Sequence, residues 1–261
     1  MATPNRYAIR DCGTATFYDL TTGKPVVTLT TLKTSGVETT GETVYARGGF
    51  GNAKLVGFSS NREAKINLED AIFDNKAIAM LTGNNPQTGA KVIDYQEKKS
   101  TLSDKITLSK TPSGNLVGVF LVNADGTNGT EYTAGDPSTG ATEYSISSKE
   151  ITFPSATVDG TIFKIYYKVE TDATATTVKV TSDQFGKTFR VILDVLVRDE
   201  HTKVDYKGQL RIPNAKFEDN FNFNFSAEGD PATLTLPLEI LKSATSTDMW
   251  ELVIYDDSLI A

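Results

Sequence analysis

Residues 211–241, RIPNAKFEDNFNFNFSAEGDPATLTLPLEIL, set the fold class of this chain. Phe217, Phe221, Phe223 and Phe225 form an apolar row interleaved with Asn222 and Asn224, and beyond Ala227-Glu228-Gly229-Asp230-Pro231 the row resumes at Leu234, Leu236, Leu238 and Ile240. Alternation with period two describes strands with one apolar and one polar face. Glycine and Asp-Pro supply the reversal, so the spacing predicts a hairpin over Phe221 to Leu241. Phe221, Phe223, Phe225, Leu234, Leu236 and Leu238 are expected to turn inward. The opposite row, Asn222, Asn224, Thr233 and Thr235, carries amides and hydroxyls without positive charge, which suits a surface where another copy docks or a polymer slides past.

Outward from this stretch the chain reads as mainly β. Strand-like segments cover Ala15 to Leu20, Pro25 to Leu32, Val37 to Tyr45, Ala53 to Phe58 and Glu63 to Phe73, with turns at Thr22-Gly23-Lys24 and Gly48-Gly49. A helix is expected over Asp74 to Thr82: Asp74 or Asn75 can cap it, Ala77, Ile78, Met80 and Leu81 share its buried side, and Gly83 supplies a left-handed stop. From about Tyr95 to Ser182 short apolar strands alternate with Ser/Thr/Gly-rich loops, notably Asn123 to Gly140, and after Phe185 long alternating strands return. That shift predicts residues 96–182 as an inserted β domain, interrupting a core domain made of residues 1–95 and 183–261.

With 261 residues the chain can bury a sizeable core, and its net charge of −7 opposes affinity for a phosphate backbone, which needs a basic face. Cys12 is the only cysteine, so no intrachain disulfide forms. No leader-like apolar stretch follows Met1, and no run reaches the length of a membrane span, so synthesis and residence in the cytoplasm, away from membranes, are expected.

Catalytic chemistry finds little purchase. His201, the sole histidine, lies in Asp199-Glu200-His201-Thr202-Lys203, a polar connection between strands, and no Gly-x-Ser-x-Gly elbow occurs. Acidic pairs such as Glu69-Asp70 and Asp256-Asp257 read as solvation. Asn123 to Asn128 offers oxygen atoms but lacks the terminal glutamate of a calcium loop, and Arg47-Gly48-Gly49-Phe50-Gly51-Asn52 lacks the Lys-Ser/Thr of a phosphate cradle. The expectation is no enzyme, no catalytic or metal residue and no cofactor. The glycine-rich tip reads instead as a contact loop, in which Arg47 and Phe50 reach a neighbouring subunit.

Several segments together resemble the tail tube, or major tail, proteins of bacteriophages. These are Gly41 to Gly49 with Asn52 to Val56, Leu68-Glu69-Asp70-Ala71 leading into the helix and Leu81-Thr82-Gly83, and Ile212 to Phe217 followed by the Gly229-Asp230-Pro231 turn. The resemblance implies a β-sandwich or barrel core with one short helix, interrupted here by an Ig-like or decoration insertion. It further implies six copies closing into a ring, rings stacking into a hollow tube, and a virion protein that conducts the genome. Partners would then be copies of itself, the tape-measure protein, and sheath, baseplate and tail-terminator proteins, with DNA passing unbound. Glu42, Tyr45, Arg47, Phe50 and Asn52 become the expected intersubunit contacts, and Asn222, Asn224, Thr233 and Thr235 the row facing the lumen or a neighbour. A virion protein binding a cell surface or carbohydrate through the insertion is the alternative.

Overall fold

The computed structural model describes residues 3–223, 225, 227–229, 231–243 and 246–259. Strands β1 (Tyr7–Asp19), β2 (Pro25–Leu29), β3 (Leu32–Gly48) and β4 (Ala53–Asp70) precede the helix α1 (Asn75–Thr82). Shorter strands follow: β5 (Gln87–Thr88), β6 (Val92–Ser100), β7 (Lys105–Thr107), β8 (Gly118–Val122), β9 (Asn128–Ala134), β10 (Glu143–Ser147), β11 (Glu150–Thr152), β12 (Ile162–Glu170) and β13 (Thr176–Thr177). Long strands then return as β14 (Thr188–Asp199), β15 (Asp205–Phe217), β16 (Leu234–Ile240) and β17 (Glu251–Tyr255). The chain is mainly β, as the alternation predicts, and it divides into two compact units, Met1–Pro86 with Val178–Ala261 and Gln87–Thr177.

In the first unit one sheet runs in the order β2-β1-β14-β15-β16-β4-β3 and curls into a nearly closed barrel. Strand β15 pairs with β14 along most of its length, while its other edge is shared, β17 taking Lys207–Arg211 and β16 taking Ala215–Phe217. Phe17, Phe189 and Phe217 meet at the centre, with ring centroids 5.6–6.1 Å apart. Ile66, Leu68, Val191, Ile212, Leu234, Leu236 and Leu238 surround them, all fully buried. Each such side chain contributes on the order of 1.5–3 kcal/mol by leaving water.

The helix forms where its signals place it. Asp74 accepts hydrogen bonds from the N–H groups of Lys76 (2.6 Å) and Ala77 (3.2 Å), and Gly83 ends the helix at a φ of 76°. A Cβ at Gly83 would lie 2.3 Å from the Phe185 carbonyl oxygen, so glycine is required both by conformation and by space. Eight residues are too few for an independent helix, and packing of Ala77, Ile78, Met80 and Leu81 into the barrel core holds it.

The Phe/Asn alternation is where the structure departs from expectation. Strands β15 and β16 do pair, but their ladder lasts only from Ala215↔Ile240 to Phe217↔Leu238. The next step brings Glu218 opposite Pro237, which accepts from the Glu218 N–H at 2.9 Å and has no N–H to return. Glu218 instead turns to Lys65, 2.7 Å away, and the chain leaves the sheet. The described residues between 218 and 233 lie in no strand, so of the hairpin expected over Phe221 to Leu241 the strand Leu234–Ile240 is present. Phe221 and Phe223 still pack on the core from above, Phe223 against Phe73, whereas Phe225 is 84% exposed and not inward.

In the second unit the strands run β6-β12-β8-β9-β10-β11-β7 as one continuous ladder, with a parallel β9–β10 step among antiparallel ones. Its core holds Ile106, Val119, Ile151, Phe153, Phe163, Ile165 and Tyr167, with Phe153 and Phe163 stacked at 4.2 Å. The polar run Asn123 to Gly140, expected as a loop, contains β9. Glu97 accepts from the Ser109 N–H (3.0 Å) and hydroxyl (2.6 Å) and from the Tyr167 hydroxyl (2.7 Å). Strands β5 and β13 pair at the two ends of the unit, Thr88 opposite Thr176 and Gln87 opposite Thr177.

Candidate assembly interface

Strands β3 and β4 pair from Leu32↔Asp70 out to Gly48↔Ala53. Strand β16 covers β4 only over Ala64–Asp70, so residues 40–63 continue as a two-stranded arm. At about 3.3 Å per residue the arm is roughly 25–30 Å long. Every residue from Thr40 to Glu63 is exposed except the half-buried Gly48. Register shifts at Thr40/Glu42 mark its base, where Asn61 has a φ of 49° and donates to the Glu42 carboxylate at 2.8 Å.

The two faces of the arm differ. On one, the opposed pairs Val44↔Phe58 and Ala46↔Val56 form an apolar patch. Val44, Val56 and Phe58 are 61%, 53% and 63% exposed, side chains that a solitary surface would not gather together. On the other, Tyr45 lies against Gly57, where an added Cβ would come within 3.1 Å of the ring, and the Lys54 ammonium sits 3.9 Å above the ring centroid. The glycine admits the ring and the cation covers it, which stiffens a ribbon that would otherwise be marginal in water.

Glu42, Tyr45, Arg47, Phe50 and Asn52 all lie on the arm: Glu42 at the base, Tyr45 midway, Arg47 near the tip, and Phe50 and Asn52 in the turn, where Asn52 has a φ of 51°. Val44, Val56 and Phe58 are not among the contact residues expected from the sequence, because the polar run Ser59-Ser60-Asn61-Arg62 divides β4 into two apparent strands. Their period-two spacing was the available signal.

The four-residue polar row is not assembled as one row. Asn222 is exposed in the connection after β15, and Asn224 lies outside the described residues. Thr233 donates to Glu69 at 2.7 Å, and Thr235 is exposed on β16 directly opposite Glu69.

A second feature belongs to the same unit. Ile9, Val37, Leu193, Val195, Leu210, Trp250 and Leu252, with Ser35 and Gly36, line an apolar cleft of about 430 Å³. Its floor continues the core-facing rows of β14 and β15, since Leu193↔Leu210 and Leu210↔Leu252 are opposed pairs. Trp250 closes one side and donates through its indole N–H to the Thr39 hydroxyl at 3.1 Å.

Other chemistry is sparse. His201 is exposed in the turn between β14 and β15, with its N–H bound to Asp199. Asn123 to Asn128 closes through Asp125, which accepts from the Thr127 N–H and hydroxyl and is thereby held below the usual carboxylate range. Among the described residues no group of three or more His, Cys, Asp or Glu is placed to hold a metal, and no helix is long and apolar enough to cross a membrane.

No curated protein matches this chain. A model of the YomU/Tube protein family matches residues 7–252, thus nearly the whole sequence, including the arm, the helix and every strand of the barrel except the last residues of β17. The chain belongs to the YomU/Tube protein family, a family of phage tail tube proteins.

Proposed function

We propose that the protein is the structural subunit of a phage tail tube, self-assembling into stacked hexameric rings that form the conduit for genome delivery. Family membership supports the tail tube role. The observation that carries self-assembly is the exposed arm on the barrel, whose apolar face and Arg47/Phe50 tip find no cover within one chain. Copies of the chain, and the tape-measure protein during assembly, are the partners, and a net charge of −7 keeps passing DNA from sticking. Binding of carbohydrate by the second unit is less well supported, since its most exposed large apolar side chains, such as Leu102, Val117 and Val158, are aliphatic.

Negative-stain microscopy of the purified protein tests the reading. Rings or tubes about one subunit thick in wall are expected, and the Arg47→Ala/Phe50→Ala variant should stay folded and lose them. A wild-type protein that remains monomeric at every concentration would remove the proposal.

A further inference from the structure

The arm and the cleft are complementary and lie on the same chain. Residues 40–63 carry Arg47, Lys54 and Arg62 against Glu42 and Glu63, a net charge of +1 in a chain of −7, so the remainder carries eight net negative charges. A cationic arm with an apolar face is suited to an acidic body that offers an apolar recess. The cleft supplies one, and exposed Glu38 stands beside its lining residue Val37, while Glu251, beside Trp250 and Leu252, is paired with Arg211 at 3.6 Å. None of Val44, Ala46, Val56 or Phe58 lines the cleft, because the arm leads away from the barrel beyond Thr40 while the cleft opens at Ser35–Val37.

Resting on the tube reading above, we infer that the Val44/Ala46/Val56/Phe58 face of the arm seats in the Ile9/Val37/Leu210/Trp250 cleft of a second copy of this chain. The contact is heterologous: one surface of a subunit meets a different surface of the next, leaving a free arm at one end and a free cleft at the other. Such a joint propagates, whereas an arm meeting an arm would close after two copies. Tyr45 and Lys54, on the opposite face, stay outside the recess and keep the ribbon straight.

The heterologous geometry gives a mixing test. Phe58→Asp removes the arm face and leaves the cleft; Ile9→Asp, at a 54% exposed position, spoils the cleft and leaves the arm. Each variant alone should sediment as a monomer with a wild-type circular dichroism spectrum and thermal transition. Mixed in equal amounts they should give a species of twice the monomer mass, joined through the one intact arm and the one intact cleft. Should Ile9→Asp assemble like wild type, or should the folded mixture stay monomeric, the cleft is not the acceptor. If wild type forms tubes in that case, the tube reading stands while this joint fails; if wild type forms none, both fail. Duplex DNA retained by Ile9→Asp and released by Phe58→Asp, with assembly of Ile9→Asp undisturbed, would assign the arm to nucleic acid and overturn the inference.

Discussion

Glu97 shows how one side chain can set the pH range of a whole unit. Its carboxylate side chain is only 9% exposed, and burial works against its charge, yet the hydrogen bonds from Ser109 and Tyr167, with Lys99 3.4 Å away, outweigh that and hold it below the ordinary value of 4.5. Burial and the bond to Glu97 push the Tyr167 hydroxyl the other way, upward. A carboxyl depressed in the folded state stabilises fully above its unfolded value and loses that contribution as pH falls through the folded one. The second unit should therefore begin to lose stability below about pH 4.5. Glu97→Ala should flatten that acid limb and cost about 2 kcal/mol near neutrality, because it leaves the Tyr167 hydroxyl buried without its acceptor. Urea unfolding of wild type and variant between pH 3 and 7 reads both effects, and an unchanged acid limb in Glu97→Ala would exclude Glu97 as its source. Nothing in the sequence flagged this residue: it meets Ser109 and Tyr167 only once β6 and β12 are paired.

At the scale of elements, legibility followed the range of the interactions that decide each one. The helix was readable because its determinants are local: Asp74 caps, Gly83 stops, and Ala77 to Leu81 fill the space between. Leu234 to Ile240 was readable for a similar reason, as a regular alternation with one face fully buried. Phe221 to Phe225 alternates equally well, yet its described residues are in no strand, since Pro237 on the partner strand cannot return a hydrogen bond to Glu218. That reason lies some twenty residues away in sequence. Strand β4 reads in the sequence as two strands, Ala53 to Phe58 and Glu63 to Phe73, because the register shift at Asn61 interrupts its pattern. Gly57 offers a test of the arm as an independent element. Gly57→Val would drive a side chain into Tyr45 and Thr43 and displace the Lys54 ammonium from the ring. Assembly by light scattering should fall several-fold, while the thermal transition of the barrel stays within about 0.5 kcal/mol of wild type, as expected for a change outside the core. A matching fall in barrel stability would show that the arm is part of the cooperative core.

For the whole molecule the question is whether residues 87–177 constitute a domain of their own. Composition alone placed the junctions at 95/96 and 182/183, where loop-rich sequence begins and ends, whereas the compact units divide at 86/87 and 177/178. The junction at 95/96 falls inside β6, whose nine residues pair with β12 from Ser100↔Ile162 to Val92↔Glu170, a long-range ladder that composition cannot register. Two features of the unit argue that it folds without the barrel. It has its own core, in which Phe153, Phe163, Ile165 and Tyr167 are almost wholly buried. Its first and last residues are held together, by the β5–β13 pair and by the Gly89 N–H bond to the Ala175 carbonyl at 2.9 Å. An insertion whose ends meet can be removed at little entropic cost to the host, because a short linker spans the gap. A protein comprising residues 87–177 alone should thus unfold in one cooperative thermal transition. The barrel with Gln87–Thr177 replaced by a short Gly-Ser linker should keep its own transition and its capacity to form tubes. Limited proteolysis of the full chain should cut first near 84–91 or 171–178. A fragment 87–177 that melts without cooperativity, together with a deletion protein that fails to fold, would mean that the two units stabilise each other and form a single domain.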